Sequence, residues 1–149
     1  MNIDRESELN LAADAAAASE FLLARGGHMD QINGEPGTWW AQLHPATEPS
    51  ETYFARLMWT VYPGAPPSIK FATSPGGAVT DPAAWPMTAG YRPTCLDICK
   101  PFTAEGFALH PDWAVTNQAW TGDGNPFLAV VKELQRDLNS PTYSGRYRP

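Results

Sequence analysis

Charged side chains are scarce in this chain: Asp, Glu, Lys and Arg together make up 17% of its 149 residues. That excludes a long solvated coiled coil and an acidic disordered tail. Lysine is rarer still, with only Lys70, Lys100 and Lys132, and the ten basic residues are scattered among sixteen acidic ones, giving a net charge of −6 and a pI of about 4.9. Displacing counterions from a phosphate backbone takes clustered Lys and Arg, so no nucleic-acid partner is expected. A long apolar run is also missing. The greasiest stretch, residues 11–24, is interrupted by Asp14, Ser19 and Glu20 and cannot span a bilayer. The opening MNIDRESELN lacks the apolar core of a secretory signal. Cytoplasmic residence without a membrane partner is the expectation. The chain has only two cysteines, Cys95 and Cys99, too few for a disulfide framework, and they read as reduced thiols. Internal repeats and domain linkers are absent too, so the expectation is one domain over residues 1–149, with a core over about 5–141 and a short C-terminal extension.

What the chain does have is apolar bulk: 43% hydrophobic residues, with six Trp, five Tyr and six Phe. Residues 5–25 are alanine-rich and predict a helix with Asp4 as its cap and Gly26-Gly27 as its stop. Leu9, Ala12, Ala16 and Leu23 recur at helical spacing and predict its apolar face. Three strand-like runs follow. In residues 38–44, Trp39, Ala41 and Leu43 alternate with Trp40, Gln42 and His44. In residues 52–62, Tyr53, Ala55, Leu57, Trp59 and Val61 share a face opposite Arg56 and Thr60. In residues 68–73, Ile69 and Phe71 point inward. Residues 74–94 hold Pro and Gly without periodicity and predict an irregular surface loop, and residues 102–121 are likewise aperiodic. Asn125-Pro126 opens a second helix to about Asn139, its apolar stripe formed by Phe127, Val130, Val131, Leu134 and Leu138. The fold class is α+β: an antiparallel meander flanked by an N-terminal and a C-terminal helix.

The segment YPGAPPSIKF, residues 62–71, resembles the proline turn and following strand of the ubiquitin-conjugating family. TCLDIC, residues 94–99, resembles that family's active-site segment, where the nucleophilic cysteine precedes Leu and Asp. Trp120 and the helix over 125–139 followed by Ser140-Pro141 resemble its downstream landmarks. The order of features is similar over roughly residues 5–141. Where the family has His-Pro-Asn ahead of the cysteine, this chain reads Trp85-Pro86-Met87, and the family's acidic gate after the last helix has no counterpart in SPTYSGRYRP. The pattern is most similar to the divergent bacterial members. The resemblance implies a ubiquitin-conjugating-like fold. It also implies a carrier that takes a ubiquitin-like protein from an adenylating, activating enzyme as a thioester on Cys95, then passes it to an amine on a protein acceptor. No cofactor is implied.

Thioester transfer requires a thiolate that attacks well and also leaves well, which serine does not. Arg92 is placed to favour a Cys95 thiolate, or is a solvated loop residue. Asp97 holds the active-site turn, tunes the acceptor, or bonds its own backbone. His110, with Asp112 beside it, deprotonates an incoming amine or anchors its loop. Asn117 is a candidate for the missing amide donor, and Asn125 reads as a helix cap. Trp39, Trp40, Trp59 and Trp120 read as packing, whereas Trp85 is a candidate shield that keeps water off the thioester. Cys99 reads as a buried substitute for an apolar residue. Two alternatives stay open. One is a non-catalytic interaction module of the same fold, binding a ubiquitin-like or other protein. The other is a redox or metal role for Cys95 and Cys99, the metal site completed by His110.

Overall fold

Capping groups decide where the first helix starts and stops. The computed structural model describes residues 3–149, and α1 runs Arg5–Leu23. The Asp4 carboxylate accepts hydrogen bonds from the Ser7 amide at 2.9 Å and the Ser7 hydroxyl at 2.7 Å, and these bonds hold it below the usual carboxylate range. At the other end Gly26 takes a left-handed φ of 77°, which lets the Gly27 amide reach the Leu22 carbonyl at 2.8 Å.

The buried face of α1 differs from the expected one. Ser7, Leu11, Ala15, Ala18 and Leu22 face inward, while Leu9 and Leu23 are 54% and 57% exposed. Alanine at so many positions leaves the apolar period degenerate. Polar contacts select the rotation: the Tyr62 amide donates to Ser7 Oγ at 3.0 Å, and the Tyr62 hydroxyl donates to Asp14 Oδ2 at 2.5 Å.

Four antiparallel strands follow in chain order: β1 His28–Asp30, β2 Thr38–Leu43, β3 Tyr53–Met58 and β4 Ser68–Ala72. The register aligns Trp39, Leu57 and Ile69 in one row and Ala41, Ala55 and Phe71 in the next, all on the core face. β1 lies outside the sequence expectation because three residues are too short to display an alternation. The expected strand over 52–62 ends four residues early. Trp59 turns its amide to the Gly37 carbonyl, and Val61 stands 52% exposed outside the sheet.

The last helix, α3 (Pro126–Leu138), packs against α1 and the sheet. Its Phe127, Val130, Val131, Leu134 and Leu138 are all buried, and Asn125 caps it by accepting from the Leu128 amide at 2.9 Å. Phe127 sits 5.6 Å from the rings of both Trp39 and Trp59. Each such side chain contributes about 1.5–3 kcal/mol through burial.

The stretch read as aperiodic, residues 102–121, contains a helix. Residues 104–109 form α2 (Ala104–Leu109), with Thr103 as cap. Six residues around a glycine hide any period, yet that glycine is required: a Cβ on Gly106 would stand 2.2 Å from the Lys100 carbonyl oxygen. The supposed C-terminal extension is docked. The Ser144 amide donates to Met87, the Met87 amide to Gly145 and the Tyr147 amide to Trp85, all at 2.8–2.9 Å. Arg146 donates to the Glu51 carboxylate and to the Thr52 and Ala83 carbonyls. Among the described residues no helix is long and apolar enough to cross a membrane.

Candidate active site

Cys95 stands at the tip of a small hairpin. Its strands are β5 (Tyr91–Arg92) and β6 (Asp97–Ile98), which pair Tyr91 with Ile98 and Arg92 with Asp97. Between them Pro93–Cys95 make one 3₁₀ turn. Proline starts it because its fixed φ suits a first helical position. Leu96 ends it in the left-handed region (φ 57°, ψ 42°), an unusual place for a residue with a branched side chain. Cys95 is exposed; Cys99 is partly exposed rather than buried as expected, and both thiols are free.

Three sets of contacts hold the turn. Across the hairpin, Arg92 Nε and Nη2 donate to the two Asp97 carboxylate oxygens, each at 2.7 Å, a bidentate fork that raises the guanidinium further above its usual range. Asp97 therefore clasps a neighbouring side chain rather than its own backbone. Arg92 lies within electrostatic reach of both cysteines, but its charge is matched by Asp97. From β4, the Lys70 ammonium donates to the Leu96 carbonyl at 2.6 Å. Sequence reasoning passed over Lys70. Its signal was a lysine on the outward row of a strand, opposite Arg56, which by itself points nowhere.

At the hairpin's base, Asp137 of α3 is 5% exposed. It accepts from the Tyr91 hydroxyl at 2.8 Å and the Lys100 ammonium at 2.7 Å, while its carbonyl accepts from the Thr88 hydroxyl. Burial beside that carboxylate keeps the Tyr91 hydroxyl protonated well above the usual phenol range. The Cys99 amide closes the base on the Gly90 carbonyl at 2.8 Å. Asp137 too was missed. Its signal was an acid between Leu134 and Leu138, beside the apolar stripe of α3.

The remaining expected site residues do not converge on this turn. His110 ends α2, where its ring stacks 4.4 Å from Trp113; nothing among the described residues ties that ring to the Cys95 turn. Asp112 and Asn117 are exposed in the following loop. Trp85 corrects its expectation. It is fully buried, 5.0 Å from Phe71 in the core, and cannot cover an exposed sulfur. Trp120 packs as expected, its indole N–H donating to the Pro63 carbonyl at 2.8 Å beside Trp59. Among the described residues no three His, Cys, Asp or Glu side chains gather for a metal ion, so the set of Cys95, Cys99 and His110 is not assembled. The arrangement is an exposed thiol on a braced turn, with a neutralised cation beside it. Compared with known proteins, the chain matches no family model, no curated protein and no solved structure.

Proposed function

We propose that this chain is a ubiquitin-conjugating-like carrier whose Cys95 accepts a ubiquitin-like protein from an activating enzyme and transfers it to an amine. The observation that carries the reading is the exposed Cys95 thiol on a turn braced by Arg92–Asp97 and Lys70, at the point in the chain where the resemblance expects a nucleophile. In the first step the Cys95 thiolate attacks the thioester carbonyl carbon of the incoming protein. The tetrahedral adduct then expels the activating enzyme's thiolate, leaving the acyl group on Cys95. In the second an amine nitrogen attacks that carbonyl, loses its proton to a base, and Cys95 departs as thiolate.

A mobile turn would squander the binding geometry; here the bonds of Leu96, Asp97 and Asp137 hold the nucleophile's backbone in place. The exposed stripe of Leu9, Ala12, Ala16 and Leu23 on α1, with Glu20 among them, is the face this reading gives to the activating enzyme. One observation favours the non-catalytic module of the same fold instead. Met87, where the family has its amide, spends its backbone on the C-terminal segment and offers no side-chain donor.

The test is intact mass after incubation with an activating enzyme, its ubiquitin-like substrate and ATP. Wild type and Cys99→Ala are expected to gain a thiol-labile adduct, Cys95→Ala none, and Cys95→Ser a thiol-stable one. An adduct that persists in Cys95→Ala, or none on wild type when another carrier is charged in the same mixture, removes the carrier reading.

A further inference from the structure

Away from the Cys95 turn, the ends of α1 and α3 enclose an open cleft of about 680 Å³. Phe21 is its apolar wall, flanked by two cations. The Arg25 guanidinium stacks 3.6 Å from the ring centroid, and the Lys132 ammonium lies 5.8 Å from it. The cleft continues into a second cavity of about 320 Å³ beside Pro45 and Pro49, sharing Arg25, Gln135 and Asn139 with the first.

Among the described residues five of the ten basic side chains form no ion pair, Arg25, Arg56, Lys70, Lys132 and Arg148, and the cleft brings two of those five together. Elsewhere Arg5 pairs with Glu8, Arg92 with Asp97, Lys100 with Asp137 and Arg146 with Glu51. Arg25 and Lys132 form no ion pair among the described residues, although the chain carries a net charge of −6. The acids near the cleft are already engaged. Asp137 holds Tyr91 and Lys100, and Glu133 pairs with the third cation, Arg136, at 3.1 Å. Two exposed cations at one apolar wall, with no acid left to them, present a local positive field on an acidic protein.

The cleft is also preformed. Gln135 donates to the His44 carbonyl at 2.9 Å and to Asn139 Oδ1 at 3.0 Å, and that same oxygen accepts from the Ala46 amide at 2.9 Å. These bonds fasten the loop after β2 to α3, so little order has to be acquired on binding. Arg25 spends one arm on the Phe21 carbonyl at 3.0 Å and keeps its others free. Arg25 and Lys132 both stand over the Phe21 ring, so two charges share one apolar wall. That suits carboxylates spaced along a chain better than a single small anion. Phe21, Pro49 and Pro141 meanwhile offer apolar surface beside the charges.

We infer that this cleft is a docking groove for an extended acidic peptide segment of a partner protein, its carboxylates meeting Arg25 and Lys132 and its intervening apolar side chains resting on Phe21 and the prolines. The groove shares Asp137 with the base of the Cys95 hairpin but does not include the turn itself, and the inference stands whether or not Cys95 carries an acyl group.

The test is fluorescence anisotropy at low ionic strength with a short fluorescein-labelled peptide alternating glutamate and valine, beside counterparts with glutamine or lysine in place of glutamate. The glutamate peptide is expected to bind, to weaken as salt is raised, and to lose roughly tenfold or more in affinity on Arg25→Glu/Lys132→Glu. The milder Arg25→Gln/Lys132→Gln shows the same direction. The charge-reversed protein then favours the lysine peptide, which misfolding does not produce. Arg5→Glu, at the far end of α1, leaves binding unchanged. Equal binding of the glutamate and glutamine peptides overturns the inference, as does equal weakening by Arg5→Glu. Displacement of the peptide by inorganic phosphate at matched ionic strength also overturns it, by marking a small-anion site.

Discussion

Asp137 is the residue on which the Cys95 turn depends most. It is a carboxylate of α3 that reaches the hairpin, and it lies almost fully buried between a phenol and an ammonium. Two effects compete when it is removed. The desolvation cost of the carboxylate is recovered, but the Tyr91 hydroxyl and the Lys100 ammonium lose their common acceptor inside the protein. Losing one partner of such a set costs about 3–5 kcal/mol, more than relief of desolvation returns while the cation stays behind. Asp137→Ala is therefore expected to destabilise the fold by about 3 kcal/mol in urea unfolding monitored by tryptophan fluorescence. Removing both ends, in Asp137→Leu with Lys100→Met, is expected to restore part of the loss. A cost below about 0.5 kcal/mol for Asp137→Ala, the size of an ordinary surface change, removes Asp137 from this role. By contrast the Arg92–Asp97 fork lies nearer solvent, with Arg92 42% exposed, so solvent screens it. It orients the turn more than it stabilises the fold.

At the scale of elements, sequence and structure agree where spacing carries the information and part where it does not. The α3 stripe is legible because Phe127, Val130, Val131, Leu134 and Leu138 are large and only one helical face contains them all. The strand faces of β3 and β4 are legible because alternation over five or six residues has a single solution. α1 is legible as a helix but not in its rotation: residues 15–18 are all alanine and fit either face, and the contacts that decide it come from Tyr62, far away in the chain. This supplies a clear test. Leu11→Ala and Leu22→Ala are each expected to cost about 2–5 kcal/mol, and Leu9→Ser and Leu23→Ser no more than about 0.5 kcal/mol. Thermal unfolding of the four variants reads the difference. If the Leu9 and Leu23 variants are the damaging pair, the stripe is core and is not available to a partner. The candidate site divides in the same way. Cys95 and Asp97 stand out in a local motif, whereas Lys70 and Asp137 reach the turn from β4 and α3, and no sequence spacing announces a contact that the tertiary fold makes.

For the whole molecule, closure depends on a segment that sequence alone makes a loose end. Residues 143–147 lie across the loop around Trp85–Met87, and Arg146 joins it to the start of β3 through Glu51 and stacks 4.5 Å from the Tyr53 ring. SPTYSGRYRP has no periodicity, and its contacts are backbone amides, Arg146, the Thr142 hydroxyl beside Thr88 and the Tyr143 ring and hydroxyl against Tyr53, so no apolar stripe in it announces the docking. Its acid response follows from Glu51. The Arg146 hydrogen bond holds the Glu51 carboxyl below its usual value of 4.5, outweighing the opposing effect of burial. A carboxyl whose folded value is depressed contributes stability that is complete above its unfolded value and is lost as pH falls through the folded one. The window therefore opens near pH 4.5 and extends downward. Both side chains are about a quarter exposed, so screening keeps the contribution near that of a surface pair, about 0.5–1 kcal/mol. Glu51→Gln is expected to lower the melting temperature at neutral pH, and the gap from wild type is expected to close as the pH falls below 4.5. A gap that stays constant through that acid range places the effect of Glu51 in packing instead. The docked C-terminal segment would then owe its position to its backbone bonds, to Thr142 and Tyr143, and to the Arg146 bonds with the Thr52 and Ala83 carbonyls.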